Sequence, residues 1–450
     1  MPVPVWGDAA PGETITIAFA GHTVAAQADK SGRWTAELPA LEASAEGRPM
    51  TIQGRTKIVY QDVLVGEVWV CSGQSNMQYG WGTESDYPMY NWGGDPDLAR
   101  LVDDARTRPI RCFHVPVDAS FSPKANCRGK WSTSLSGSAV AFGFSYYLQK
   151  ALDVPVAVIV TSWGSSSIEG WMPLDMVEQL PHFKAMMEQL LTLPSVTRVN
   201  RAIEMGVRPG FVWLRKRPNL LYNAMLYPVI PFACRGFLWY QGEANAAEPD
   251  LYARTLPLWV TRLRKEWGRD ELHFMAVMLP GFGKDSGRPD AQSWAWFRDA
   301  QLNVLELPDT SVVNTVDLGD ATNIHPADKE PICRRAALLA RQEVYNHPVL
   351  GQGPVLRKFA VEQNAFIIEF DNADGLHTTD GEAPKGFWLA GANGEWVPAT
   401  AAIQDSTIVL AADNVPDPMA CRYAFCGTPE VNLVNGEGLP AFPFKTDDAE

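Results

Sequence analysis

Four short stretches of this chain carry the residue types that acyl transfer needs. The first, Val68 to Met77, reads V-W-V-C-S-G-Q-S-N-M. An apolar run stops at Ser72-Gly73 and polar residues follow, as when a buried strand ends at a sheet edge. Ser75 sits just beyond that end. A serine so placed is a nucleophile if a base reaches it, and otherwise a helix cap. The second stretch, Val156 to Val160, runs into Thr161-Ser162-Trp163-Gly164-Ser165-Ser166-Ser167. The third, Gly236 to Tyr240, ends in Gln241-Gly242-Glu243-Ala244-Asn245. The fourth, Ser311 to Val316, ends in Asp317-Leu318-Gly319-Asp320, with Asn323-Ile324-His325-Pro326 just beyond. Together they offer a serine, a histidine, carboxylates, amide side chains and glycine-flanked backbone donors. Acyl transfer uses these as nucleophile, base, orienting group and oxyanion donors. Alone, His325 is more often a core or capping residue.

The elements that must position these residues fall into three blocks. Residues 1–65 read as strands punctuated by Gly and Pro (Thr14 to Phe19, Trp34 to Leu38, Lys57 to Tyr60), a small β-sandwich-like domain. Residues 66–347 alternate strands and helices. Strands are predicted at Ile110 to Val115, Val156 to Val160, Gly236 to Tyr240, His273 to Met278 and Ser311 to Val316. Helices are predicted at Ala139 to Leu152, at Leu174 to Leu193 with a break near Pro181, at Leu251 to Trp267, at Trp294 to Leu305 and at Lys329 to Tyr345. In the third of these, Arg254, Arg262, Arg264 and Lys265 should face outward. Such alternation implies an α/β fold with a doubly wound parallel sheet, whose ligands bind beyond the carboxyl ends of the strands. The basic segment 195–220 reads as an irregular surface excursion, a candidate lid. Residues 348–450 return to strands, a second all-β domain expected to pair in space with residues 1–65.

Bulk properties narrow the partners. The chain has 450 residues and a formal net charge of -14, which argues against nucleic acid or an anionic membrane surface. No stretch is long and apolar enough to span a bilayer. The seven cysteines are odd in number and scattered, with no C-x-x-C pair, so neither a disulfide framework nor a zinc knuckle is expected. Cys421 and Cys426 would point to opposite faces of one strand, which disfavours a bond. The start, Met1-Pro2-Val3-Pro4, lacks the basic and apolar regions of a signal peptide. The location is left open: periplasmic or secreted if a signal was removed, otherwise cytoplasmic. Oligomeric state is left open.

The quartet of blocks resembles the SGNH (GDSL-type) hydrolases, and within them the sialate O-acetylesterase and acetylxylan-esterase branch. Gly73 to Met77 (G-Q-S-N-M), Gln241 to Asn245 (Q-G-E-A-N) and Ile324 to Pro326 (I-H-P) carry the resemblance, and their order and the flanking β units extend it over nearly the whole chain. It implies a serine esterase acting on an acetylated carbohydrate, with neither cofactor nor metal. Ser75 would be the nucleophile and His325 the general base. The Ser75 and Gly164 N–H groups, with a side-chain amide from Gln241 or Asn245, would form the oxyanion hole. Two departures stand out. Where many relatives place an acid two or three residues before the histidine, this chain has Asn323 and Thr322. Glu243 is then the first choice for the triad acid, Asp320 the second and Asp317 the third. Ser165 also replaces a second glycine and adds a side chain beside the oxyanion hole.

Trp163, Trp171 and Trp239 are expected in the core, and Tyr79 and Trp81 are candidates for substrate contact. Histidines 22, 114, 182, 273, 347 and 377 are expected to be structural. Two rival readings remain: a carbohydrate-binding protein without turnover, and a metal-dependent hydrolase using Asp317, Asp320 and His325.

Overall fold

The structure, a computed structural model, describes residues 1–80, 95–206, 212–283, 289 and 293–447. At its centre is a seven-stranded sheet. Across it the strands run Thr310–Val313, His273–Val277, Gly236–Tyr240, Glu67–Gly73, Val156–Ser162, Ile110–His114 and Lys130–Ser132. All neighbours are parallel except the Lys130–Ser132 edge strand, which is antiparallel. Glu67–Gly73 comes first in the chain yet lies in the middle. Later strands are added on one side and then on the other, so its carboxyl end is a topological switch point. The middle strands are covered on both faces, which is why they read as unbroken apolar runs. Trp69, Val70 and Cys71 are fully buried, as are Val158 and Leu238.

Local chemistry sets the element ends. The Ala139–Leu152 helix starts at Ser138, whose Oγ accepts from Ala141 N at 3.1 Å, and stops at Asp153 in a left-handed conformation. The Glu330–Glu343 helix packs against it, with Cys333 over Gly143. The Pro249–Trp267 helix runs through Pro257 and ends at left-handed Gly268. One expectation fails here. Arg264 is buried and donates to the carbonyls of Leu272, Pro308 and Asp309, tying helix to strand ends.

The two β regions flank this core. Residues 1–65 form a four-stranded antiparallel sheet and the Val3–Asp8/Arg33–Leu38 ladder. Residues beyond 355 form two four-stranded sheets and a short two-stranded ladder. The expected pairing of these regions is not found. Among the described residues no ladder joins them, and their apolar cores are separate, one around Ile15, Ile17 and Trp34 and the other around Phe366, Ile368 and Leu410. The C-terminal region packs instead on the α/β core. Val316 belongs to its apolar cluster, and Asn314 Nδ2 donates to Pro440 O and Ala441 O at 2.9 and 3.1 Å.

Segment 195–220 also differs from the expectation. Residues Leu193–Glu204 form an exposed helix, but Arg215 is 2% exposed and points into the core. Helical periodicity was masked there by the density of basic residues. No disulfide joins any of the seven cysteines, and the strand carrying Cys421 ends at Tyr423, before Cys426. Among the described residues no helix is long and apolar enough to cross a membrane.

Candidate active site

Gly73 ends the central strand at φ +143°, and a Cβ there would lie 2.1 Å from Tyr240 O. Only glycine permits this approach, and the chain then turns into a single helical turn, Ser75–Gln78. Being first in a helix, Ser75 and Asn76 have amide hydrogens with no carbonyl a turn back. Ser75 is 4% exposed, and its Oγ lies 2.8 Å from His325 Nε2. The two are separated by 250 positions in sequence. The loop before the histidine is built by Asp320, whose Oδ1 accepts from Thr322 N, Thr322 Oγ1 and Asn323 N. Asn323 Oδ1 then accepts from His325 N at 3.0 Å. Burial, with the Lys329 charge, pulls the His325 pKa down to about 4. The imidazole is therefore neutral at ordinary pH, the form that can accept the serine proton.

None of the three candidate acids bonds to His325. Glu243 is half-buried, but its carboxylate is tucked in: one oxygen accepts from Asn76 Nδ2 and the other is buried without a partner. Burial raises its pKa, against the Asn76 hydrogen bond and the Lys329 charge. Asp320 is spent on its own loop, and Asp317 is held by Arg335 through two bonds of 2.7 and 2.6 Å. Glu243, the first choice for the triad acid, reaches the Asn76 side chain, which in turn touches the backbone just before His325. Asn76 Nδ2 also donates to Ile324 O at 3.0 Å, and its Oδ1 accepts from Lys329 Nζ at 2.7 Å. Lys329 is fully buried, between the rings of Tyr79 and Tyr240, and burial pulls its pKa down to about 7. Its backbone N–H is capped by Asp95 Oδ2 at 2.7 Å.

The expected oxyanion amides, Gln241 and Asn245, have partners of their own. Gln241 Nε2 donates to Asn245 Oδ1 at 2.8 Å and to Ser166 O at 3.1 Å, while Tyr252 OH donates to its Oε1. Asn245 Nδ2 turns to Glu169, and its Oδ1 also accepts from Ile168 N at 3.1 Å. Both amides are locked into a network that joins the ends of two strands. The Gly164 N–H donates to Gln78 Oε1 at 2.7 Å, and Gly164 O accepts from Arg215 Nη1 at 2.9 Å. Ser165, at φ +60°, is left-handed, a conformation that favours the glycine usual there.

Of the proposed substrate contacts, Tyr79 is fully buried against Lys329, and Trp81 lies outside the described residues. Trp163, Trp171 and Trp239 are core residues, as expected. Among the histidines expected to be structural, His182 pairs with Glu169 and His273 with Ser311 Oγ. Among the described residues no group of three or more His, Cys, Asp or Glu gathers for a metal, and the bond to Arg335 removes Asp317 from such a set. Asn76, Gln78, Arg215 and Lys329 were not singled out from sequence. Gln78 had a signal: it lies three residues after Ser75, one helical turn away.

The chain matches a protein-family model described as carbohydrate esterase, sialic acid-specific acetylesterase, over residues 211–339. It is 30% identical to a structurally solved carbohydrate acetylesterase from Xanthomonas citri, covering 99% of this chain and 96% of that one with a TM-score of 0.82. It is 25% identical to the sialate O-acetylesterase of Rattus norvegicus, over 98% of this chain and 90% of the relative. With that of Homo sapiens the identity is 24%, over 98% and 88%. The fold is a mixed α/β one with a large, mainly parallel sheet and several antiparallel ones, and its site pairs a buried serine with a neutral histidine. The chain belongs to the carbohydrate acetylesterase family that these relatives represent.

Proposed function

We propose that the protein is a serine esterase of the SGNH type that removes O-acetyl groups from carbohydrates, sialic acid first among them. The observation that carries this is the 2.8 Å contact of Ser75 Oγ with His325 Nε2 at the switch point of the parallel sheet. Ser75 Oγ attacks the acetyl carbonyl while its proton passes to His325 Nε2. The tetrahedral intermediate collapses, and the sugar hydroxyl leaves with that proton. Water, deprotonated by the same histidine, then attacks the acetyl-serine, and acetate and free Ser75 result. The Ser75 N–H contributes one oxyanion donor. Glu243 acts through Asn76, which holds the carbonyl before His325, so it is a positioning residue. The family name and the curated relatives favour sialic acid over xylan.

The test is acetate release from acetylated sialic acid, acetylated xylan and a small chromogenic acetate. Ser75→Ala and His325→Ala should each abolish release from the best substrate. A folded wild type that releases nothing from any of them would instead indicate a binding protein without turnover.

A further inference from the structure

Gly164 stands at the carboxyl end of the strand beside that of Ser75. Ser162 is in register with Gly73, and Trp163 N donates to Gly73 O at 3.1 Å. Its N–H therefore points across the loop toward the helical turn that carries the nucleophile. The space in front of that N–H is not open, because the Gln78 carboxamide fills it. An N–H can only donate, so the atom 2.7 Å from it is the carboxamide oxygen, which fixes the sense of the amide. The NH2 of Gln78 is thereby turned to the other branch. It donates to no described group, although the residue is 2% exposed. The neighbouring Asn76, Gln241 and Asn245 amides all have described acceptors. Gln74 Oε1 accepts from Gln241 Nε2 and from the Gly242 and Ala244 N–H groups; its NH2 also has no described acceptor, but Gln74 precedes the helical turn and so does not share the Ser75 face. Gln78 follows Ser75 by three positions on one turn, so their side chains leave the same face.

From this juxtaposition we infer that the Gln78 carboxamide supplies the second oxyanion donor, with the Gly164 N–H acting as its clamp. The role rests on Ser75 being the nucleophile. The arrangement suits electrostatic catalysis, because a donor already fixed by its own oxygen needs no reorganisation when charge develops on the substrate. It also explains why the two amides of the Gln241–Asn245 turn can be spent on structure.

The test compares steady-state kinetics of an acetyl ester for wild type, Gln78→Glu and Gln78→Ala, with Ser75→Ala alongside and melting temperatures for all. Gln78→Glu keeps an acceptor for Gly164 and loses the donor, so kcat should fall about 100- to 1,000-fold, with KM changing less than about threefold. Affinity for a simple boronic acid, which forms a tetrahedral adduct with serine, should fall in parallel. Gln78→Ala frees the Gly164 N–H, and its kcat should lie between the two. Turnover by Gln78→Ala equal to or above wild type, or by Gln78→Glu within about threefold of it, would make Gly164 the donor and overturn the inference. If Gln78→Ala does not fold, the Gln78→Glu result alone decides. Full turnover by Ser75→Ala would remove the esterase site itself, a separate failure.

Discussion

At the scale of single residues the site depends on which groups stay neutral in the dark of the core. His325 has a pKa near 4 when folded, against an ordinary 6.5, so its basic form persists well into acid. The acid limb of kcat/KM should have its midpoint near pH 4, and a midpoint near 6.5 would count against the buried, neutral base. His273, also lowered to about 4 by burial, obeys the same linkage. The unfolded chain takes up protons first, so the stability owed to neutral His273 and His325 is present above pH 6.5. It drains away as pH falls toward 4. Lys329 and Glu243 are both pushed toward neutrality by burial and share Asn76 as intermediary. Lys329→Met should cost about 3 kcal/mol or more in denaturant melts, because it strands a buried carboxyl. Its kcat should fall with KM little changed, since Asn76 loses one of its three anchors. These roles were hidden in the sequence. Ser75 and His325 could be picked out because each stands in a block of unusual residues. Nothing in the spacing said that Glu243 would meet Asn76 before it met His325, because side-chain direction at a strand end depends on the packing beneath it.

At the scale of elements, three strand ends and one loop converge on the serine, and each is held by a specific restraint. Gly73 is the sharpest. Gly73→Ala should cost about 3 kcal/mol or more and remove activity with it, since both the left-handed φ and the Tyr240 carbonyl exclude a side chain. Soluble, stable Gly73→Ala protein would contradict the register described. Arg215 holds the second strand end through Gly164 O and lies over the Trp163 ring, 5.2 Å from its centroid. Arg215→Ala should lower stability by about 2–3 kcal/mol, read from urea melts, because the Gly164 carbonyl loses a charged donor. Periodicity made the central strands and most helices readable, since continuous apolar runs and 3.6-residue spacing both survive in one sequence. It failed where polar residues are buried. Arg264 and Arg215 look like surface residues until the carbonyls that bind them are seen.

At the scale of the whole molecule, the β regions differ in how they meet the core. The C-terminal region takes into its apolar cluster Val316, which lies just beyond the last core strand. It is also held by Asn314, and by Arg298, which is fully buried and donates to the carbonyls of Ala424, Cys426 and Gly427. Ending the chain at residue 347 would leave these donors without acceptors, and we expect an aggregating product. A soluble, fully active truncation would show that the region is an appendage. Strand content in both β regions was visible in the sequence, but which of them lay against which surface was not. That depends on a few polar contacts far apart in the chain. The central claim, that Ser75 is the nucleophile activated by His325, is most directly tested by exposing the protein to a fluorophosphonate and locating the adduct by peptide mass spectrometry. One adduct on Ser75, with esterase activity lost in step and labelling abolished in His325→Ala, is the predicted result. Ester hydrolysis that continues without label on Ser75 would contradict the account.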